Sequence, residues 1–187
     1  TGSYTFERRQ HQTVAIFDSR QAADLLARGR VRDYLADMLA SFTHVHGFTQ
    51  RVRVRKGIWR KQRFHDLDVD SLIRYASALE EEQRFQVYKR IADVCLFLAA
   101  MFPEYIENQG RHPLSLGNYG GIRRSIEDYE REGQTFYGLA AGHREGHTSR
   151  LSAALSSLAE NFTLAEKPLT FISNHYLQMR KHLYFGL

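Results

Sequence analysis

Seven basic residues fall within positions 51–63: Arg51, Arg53, Arg55, Lys56, Arg60, Lys61 and Arg63, with Trp59 among them and no acid. Cations at this density neutralise phosphates. Guanidinium adds bidentate contacts to phosphate or guanine, and an indole can stack on a base. The chemistry predicted is anion binding, with nucleic acid first and a nucleotide second. The competing reading is a solvated edge strand whose charges block edge-to-edge aggregation. Seven cations without one acid exceed what edge protection requires.

Other groups with reactive potential lack the surroundings that reactivity needs. His143 and His147 are four apart, as in a helical metal pair. Gly142 and Gly146 argue against a rigid helix there, and the order is not His-Glu-x-x-His, so a solvated turn is expected over Gly142–Thr148. No Glu-x-x-His pair, cysteine pair or Gly-x-Ser-x-Gly context occurs. Gly117-Asn118-Tyr119-Gly120-Gly121 could cradle a phosphate at a helix start, but without a following Lys-Ser/Thr it reads as a loop and cap. Cys95, the single cysteine, lies in an apolar helix and reads as a buried structural thiol. No catalytic residue, metal or cofactor is expected, and an enzyme is the least favoured class.

The chain has 187 residues and a net charge of +5. Without residues 51–63 it has 19 basic against 21 acidic residues, so the basic character is one local patch. Hydrophobic residues at 43% are enough for a buried core, and one domain is the default at this length. No apolar run approaches the roughly 18–20 residues of a membrane span. With a lone cysteine and no signal-peptide pattern in the residues at hand, a cytoplasmic setting is expected.

The elements that must position these residues are helical. Glu80–Phe102 is the organising one. Tyr88, Ile91, Ala92, Cys95, Leu98, Ala99 and Phe102 form one apolar face, and Val87, Val94, Phe97 and Met101 form a second, so this helix should be covered on both sides. Glu80, Glu81 and Glu82 suit its positive end, and Pro103 ends it. Residues 1–17 are expected to be an arm that docks through Val14–Phe17, and 18–187 a helical domain with a basic insertion at about 43–67. Further helices are expected at Arg20–Arg28, closed by Gly29, and at Val31–Phe42, Ser71–Ala78, Tyr119–Ala141 and Ser149–Phe162. A last one starts at Thr163, with Pro168 in its first turn and Leu169, Ile172, Tyr176, Met179 and Leu183 facing the core. The strict alternation of Arg51-Val52-Arg53-Val54-Arg55, with Lys56-Gly57 as a turn, predicts a basic hairpin, a long ordered loop being the alternative. The fold expected is all-α: one compact bundle of six or seven helices with this hairpin or loop inserted.

Two groups on the helices remain. Arg123, Arg124 and Arg131 read as part of a solvated face balanced by Glu127, Asp128, Glu130 and Glu132. Tyr129 and Tyr137 bracket Gly133 on one helical face, which leaves either a close helix crossing or a small pocket lined by Tyr129, Gly133 and Tyr137.

Several runs resemble an uncharacterised family of bacterial cytosolic all-helical proteins. They are Arg90-Ile91-Ala92-Asp93 through Met101-Phe102-Pro103-Glu104, Asp128-Tyr129 with Glu132-Gly133-Gln134-Thr135-Phe136-Tyr137, Leu158-Ala159-Glu160-Asn161-Phe162, and Tyr34–Leu39 through Phe42. The resemblance covers about three quarters of the chain. It implies the fold and carries no activity.

The leading expectation is therefore a non-enzymatic binding or regulatory module that engages an anionic partner through residues 51–63. The alternative is a homodimer that docks a protein partner through its last helix, where Phe171, His175, Gln178 and His182 lie off the core stripe and Tyr184-Phe185 follow.

Overall fold

Eleven consecutive residues, Ile91–Met101, are buried on every side, as the double apolar stripe requires. They belong to the central helix of a computed structural model that describes residues 4–9, 12–17, 20–44, 47–55, 58–65, 67–108 and 124–177. The helices are α1 (Arg20–Ala27), α2 (Gly29–Ser41), α3 (Val69–Ser77), α4 (Phe85–Met101), α5 (Pro103–Asn108), α6 (Ile126–Gly142), α7 (Arg144–Thr148), α8 (Ser152–Glu160) and α9 (Phe162–Ile172). Two hairpins join them. Strands β1 (Tyr4–Arg9) and β2 (Gln12–Phe17) precede α1, and strands β3 (Gly47–Arg55) and β4 (Ile58–His65) stand between α2 and α3.

The architecture is a compact all-α bundle with a basic hairpin inserted. α4 is its axle. It packs most extensively on α6 and also against α9 and α3, while α8 closes over α6 and α2, and α1 lies against α9. Each helix expected from periodicity is present, and α5 and α7 are short additional ones. The arm is itself a hairpin, and its strand β2 comes against α1.

Several boundaries differ from expectation, each for a local reason. Glu81–Gln83 form a separate 3-10 turn, so α4 starts at Phe85 and the glutamates precede it. The break after α1 falls at Arg28, and Gly29 is the first residue of α2. α6 starts at Ile126 because Ser125 caps it: the Ser125 hydroxyl accepts from the Asp128 N–H, and the Asp128 carboxylate accepts from the Ser125 N–H. The expected start over 119–123 lies outside the described residues. α9 starts at Phe162, which moves Pro168 from a first turn into the helix interior. Past α9, Ser173–Leu177 form a π turn. That wider turn shifts the phase of the face, so Tyr176 is 71% exposed where the stripe would bury it. Phe171, upstream in α9, is buried where the stripe would leave it out. Gly142–Thr148 is no loose turn. α7 forms there, its start capped by His143, and Gly146 packs so close to the Ala140 carbonyl that no side chain would fit.

Candidate functional site: a basic ribbon on a helical body

Two places concentrate polar chemistry. The first is inside the bundle. Asp93, on the otherwise apolar α4, is 1% exposed. Its Oδ1 accepts from the Tyr34 hydroxyl at 2.6 Å and from the Tyr137 hydroxyl at 2.9 Å, and its Oδ2 accepts from Lys89 Nζ at 2.8 Å. Both carboxylate oxygens are thus engaged, and one acid joins α2, α4 and α6. Burial, and then the negative charge of Asp93, hold both tyrosine hydroxyls well above the ordinary phenol range. Lys89 Nζ also sits 5.1 Å from the Tyr34 ring centroid. This arrangement fixes the register of three helices.

Next to it, α6 crosses α9. A Cβ on Gly133 would lie 2.2 Å from Phe162 Cε2 and 3.1 Å from Cys95 Cβ, so the Phe162 ring occupies the space that a slot between Tyr129 and Tyr137 would need. Both tyrosines are buried. Cys95 is buried too, and its thiol is pushed up by burial and by the charge of Glu132, which leaves it unreactive. One turn beyond Phe162, Glu166 faces Glu130. Its Oε1 is enclosed without a donor, and burial, then Glu130, push the carboxyl up to about 8. Two carboxyls in this relation bond to each other only when one carries a proton.

Arg124 departs from the solvated face expected of it. Its side chain is 7% exposed and is clamped between Asp70 (2.6 Å) and Glu132 (2.7 Å). Burial disfavours its charge, but the hydrogen bonds to the two carboxylates more than compensate, so the guanidinium is held more firmly protonated than usual. Arg124 therefore staples the entry of α6 to the first turn of α3. His143 is likewise structural: its Nδ1 accepts from the Glu145 N–H, so its Nε2 donates to the Glu81 carbonyl at 2.8 Å. Among the described residues no group of three or more His, Cys, Asp or Glu side chains is placed to hold a metal ion.

The second place is the hairpin of β3 and β4. Its antiparallel register pairs Thr49 with Arg63, Arg51 with Lys61, and Arg53 with Trp59. Directly opposed residues share a face, and residues two apart along a strand share it as well. Arg51, Arg53, Lys61 and Arg63 therefore fall on one face of the ribbon together with Trp59. The other face carries the pairs Phe48–Phe64, Gln50–Gln62 and Val52–Arg60. Arg60 is thus separated from the other cations. Arg55, opposite Ile58, is set off by a register irregularity after Arg53. Lys56 lies outside the described residues. β4 comes against α3, and the chain enters the ribbon from a 3-10 turn at Phe42–His44. At that root Arg90 lies 3.9 Å over the Phe42 ring and donates to Ser41 Oγ at 2.8 Å.

At the carboxyl end of the described chain, the exposed Tyr176 packs edge-on against Phe171, which stacks on His175 at 4.3 Å. Gln178, His182, Tyr184 and Phe185 lie outside the described residues. No described helix is long and apolar enough to cross a membrane.

The chain matches no known family model, no curated protein and no solved structure.

Proposed function

We propose that this protein is a binding module that engages nucleic acid through the β3–β4 ribbon, the helical bundle serving as its rigid mount. The observation that carries the reading is the register: it gathers Arg51, Arg53, Lys61 and Arg63 with Trp59 onto one face, in a segment that contains no acid. Four cations on one surface can neutralise consecutive phosphates, and arginine can add bidentate contacts to guanine. Reactive groups in the bundle are occupied in holding helices together, and a binding role needs none of them. A nucleotide would use the same cations. In this reading the protein works in the cytoplasm.

The test is charge reversal of Arg51, Arg53 and Lys61 to Glu, with binding to nucleic acid followed by fluorescence anisotropy and folding checked by thermal melting. The reading expects binding to be abolished at an unchanged melting temperature. Unchanged affinity would rule it out.

A second reading rests on Tyr176, whose ring is 71% exposed beside the Phe171–His175 stack. Exposed aromatics anchor protein interfaces. A homodimer or a protein partner docking there would weaken on Tyr176→Ala and would ignore salt. A chain that stays monomeric at high concentration would count against the homodimer.

A further inference from the structure

We infer that the ribbon takes its nucleic acid as duplex DNA, with the face that brings together Arg51, Arg53, Lys61 and Arg63 laid into the major groove. This inference rests on the nucleic-acid reading above and names its substrate class. Three features of the hairpin argue for it.

The first is size. The hairpin is a lone pair of strands among the described residues, and paired strands lie about 4.8 Å apart. With eight residues in β4 at about 3.3 Å each, it is roughly 26 Å long. The major groove of B-form DNA, about 12 Å wide, admits a two-stranded ribbon of this kind.

The second is composition. Proteins that hold single strands line a basic groove with several aromatic platforms, one for each stacked base. The basic face here carries one aromatic residue, Trp59, among four cations. Phe48 and Phe64 are paired with each other on the opposite face. One platform does not hold a run of unstacked bases, whereas four cations suit two phosphate backbones that flank a groove.

The third is sidedness. The alternation assigns Phe48, Val52, Phe64 and Arg60 to one face, and Arg51, Arg53, Lys61 and Arg63 to the other. The face with four cations is the better suited to a polyanion, and the ribbon enters the groove on that side. Duplex RNA differs in the relevant dimension: its major groove is deep and too narrow to be read by side chains.

The experiment uses the full chain and fluorescence anisotropy at low salt. The probes are one sequence of about 20 base pairs prepared as duplex DNA, as single-stranded DNA and as duplex RNA, a length that exceeds the ribbon. A fourth probe is the same DNA duplex with a glucosyl group on cytosine C5, which fills the major groove, and a fifth has its minor groove occupied by a polyamide. The inference expects duplex DNA to bind about tenfold or more tighter than single strand or duplex RNA, loss of binding on the glucosylated duplex, and little change with the polyamide. Equal or tighter binding of single strand or RNA, or indifference to the glucosyl groups, overturns the major-groove inference and leaves the nucleic-acid reading standing. Absence of binding to every probe overturns both. Arg53→Gln with Lys61→Gln should weaken duplex binding at least about tenfold, and Arg60→Gln, on the other face, should weaken it less.

Discussion

The core around Asp93 and the ribbon of β3 and β4 use the same basic residue types to opposite ends. In the bundle two cations that approach the interior meet acids: Lys89 meets Asp93, and Arg124 meets Asp70 and Glu132. A charge removed from water needs such a partner, and once it has one it is no longer available to a ligand. The ribbon segment supplies no acid at all. Its cations are gathered by strand alternation on one face. Positive charge is therefore structural where these helices cross, and in the proposed reading it serves binding on the ribbon. The two regions should respond to substitution in opposite ways, one through stability and the other through affinity.

The largest effect on stability is expected at Asp93. Asp93→Ala leaves the hydroxyls of Tyr34 and Tyr137 without their acceptor and Lys89 without its counter-charge, at a cost of about 3–5 kcal/mol. Chemical denaturation should show a matching fall in midpoint. A loss below about 1 kcal/mol would mean that the network is not closed as described.

Gly133→Leu comes next. Any side chain there meets the Phe162 ring, and overpacking of this kind costs about 1–3 kcal/mol. Phe162→Leu in the same chain should recover part of the loss, since the clash is with the ring edge. A Gly133→Leu variant that keeps its melting temperature would place this face in solvent and break the comparison from the core side.

A smaller, pH-dependent effect is expected at Glu166. Its folded-state value, pushed up to about 8, lies above the ordinary carboxylate range. A raised value gives stability that is fully present below the unfolded pKa and declines as pH rises through the folded one. The decline should run from about pH 4.5 to about pH 8. Glu166→Gln keeps the shape without the charge, so its melting temperature should vary less over that window and exceed that of the parent at pH 8. An identical profile in the two proteins would contradict a Glu166 carboxyl raised by burial and by Glu130.

Much of the bundle was legible beforehand, because a helix apolar on two sides can only be covered on two sides. Gly133 between Tyr129 and Tyr137 already pointed to a close crossing or a slot, and Phe162 fills the space. Asp93 escaped notice because one acid in an apolar run carries little weight. Its signal was Lys89 four residues earlier, a spacing that brings the two side chains together on a helix. The start of α6 was legible in Ser125 and Asp128, a capping pair that the glycines upstream obscured. Tyr176 was assigned to the core stripe and is exposed, since a π turn changes the phase without a mark in the sequence. In the ribbon the alternation of Arg51–Arg55 was plain. Which cations share a face depends on the strand pairing, and so Arg60 was grouped with residues from which the register separates it.

The most direct measurement is the salt dependence of duplex DNA binding by the parent protein and by an Arg51→Gln, Arg53→Gln variant. Four phosphate contacts predict a slope of log K against log salt of about −3.6, and removal of two should bring it to about −1.8 with melting temperature unchanged. A slope that is the same in both proteins, or near zero in the parent, would contradict the account of the ribbon as the binding face.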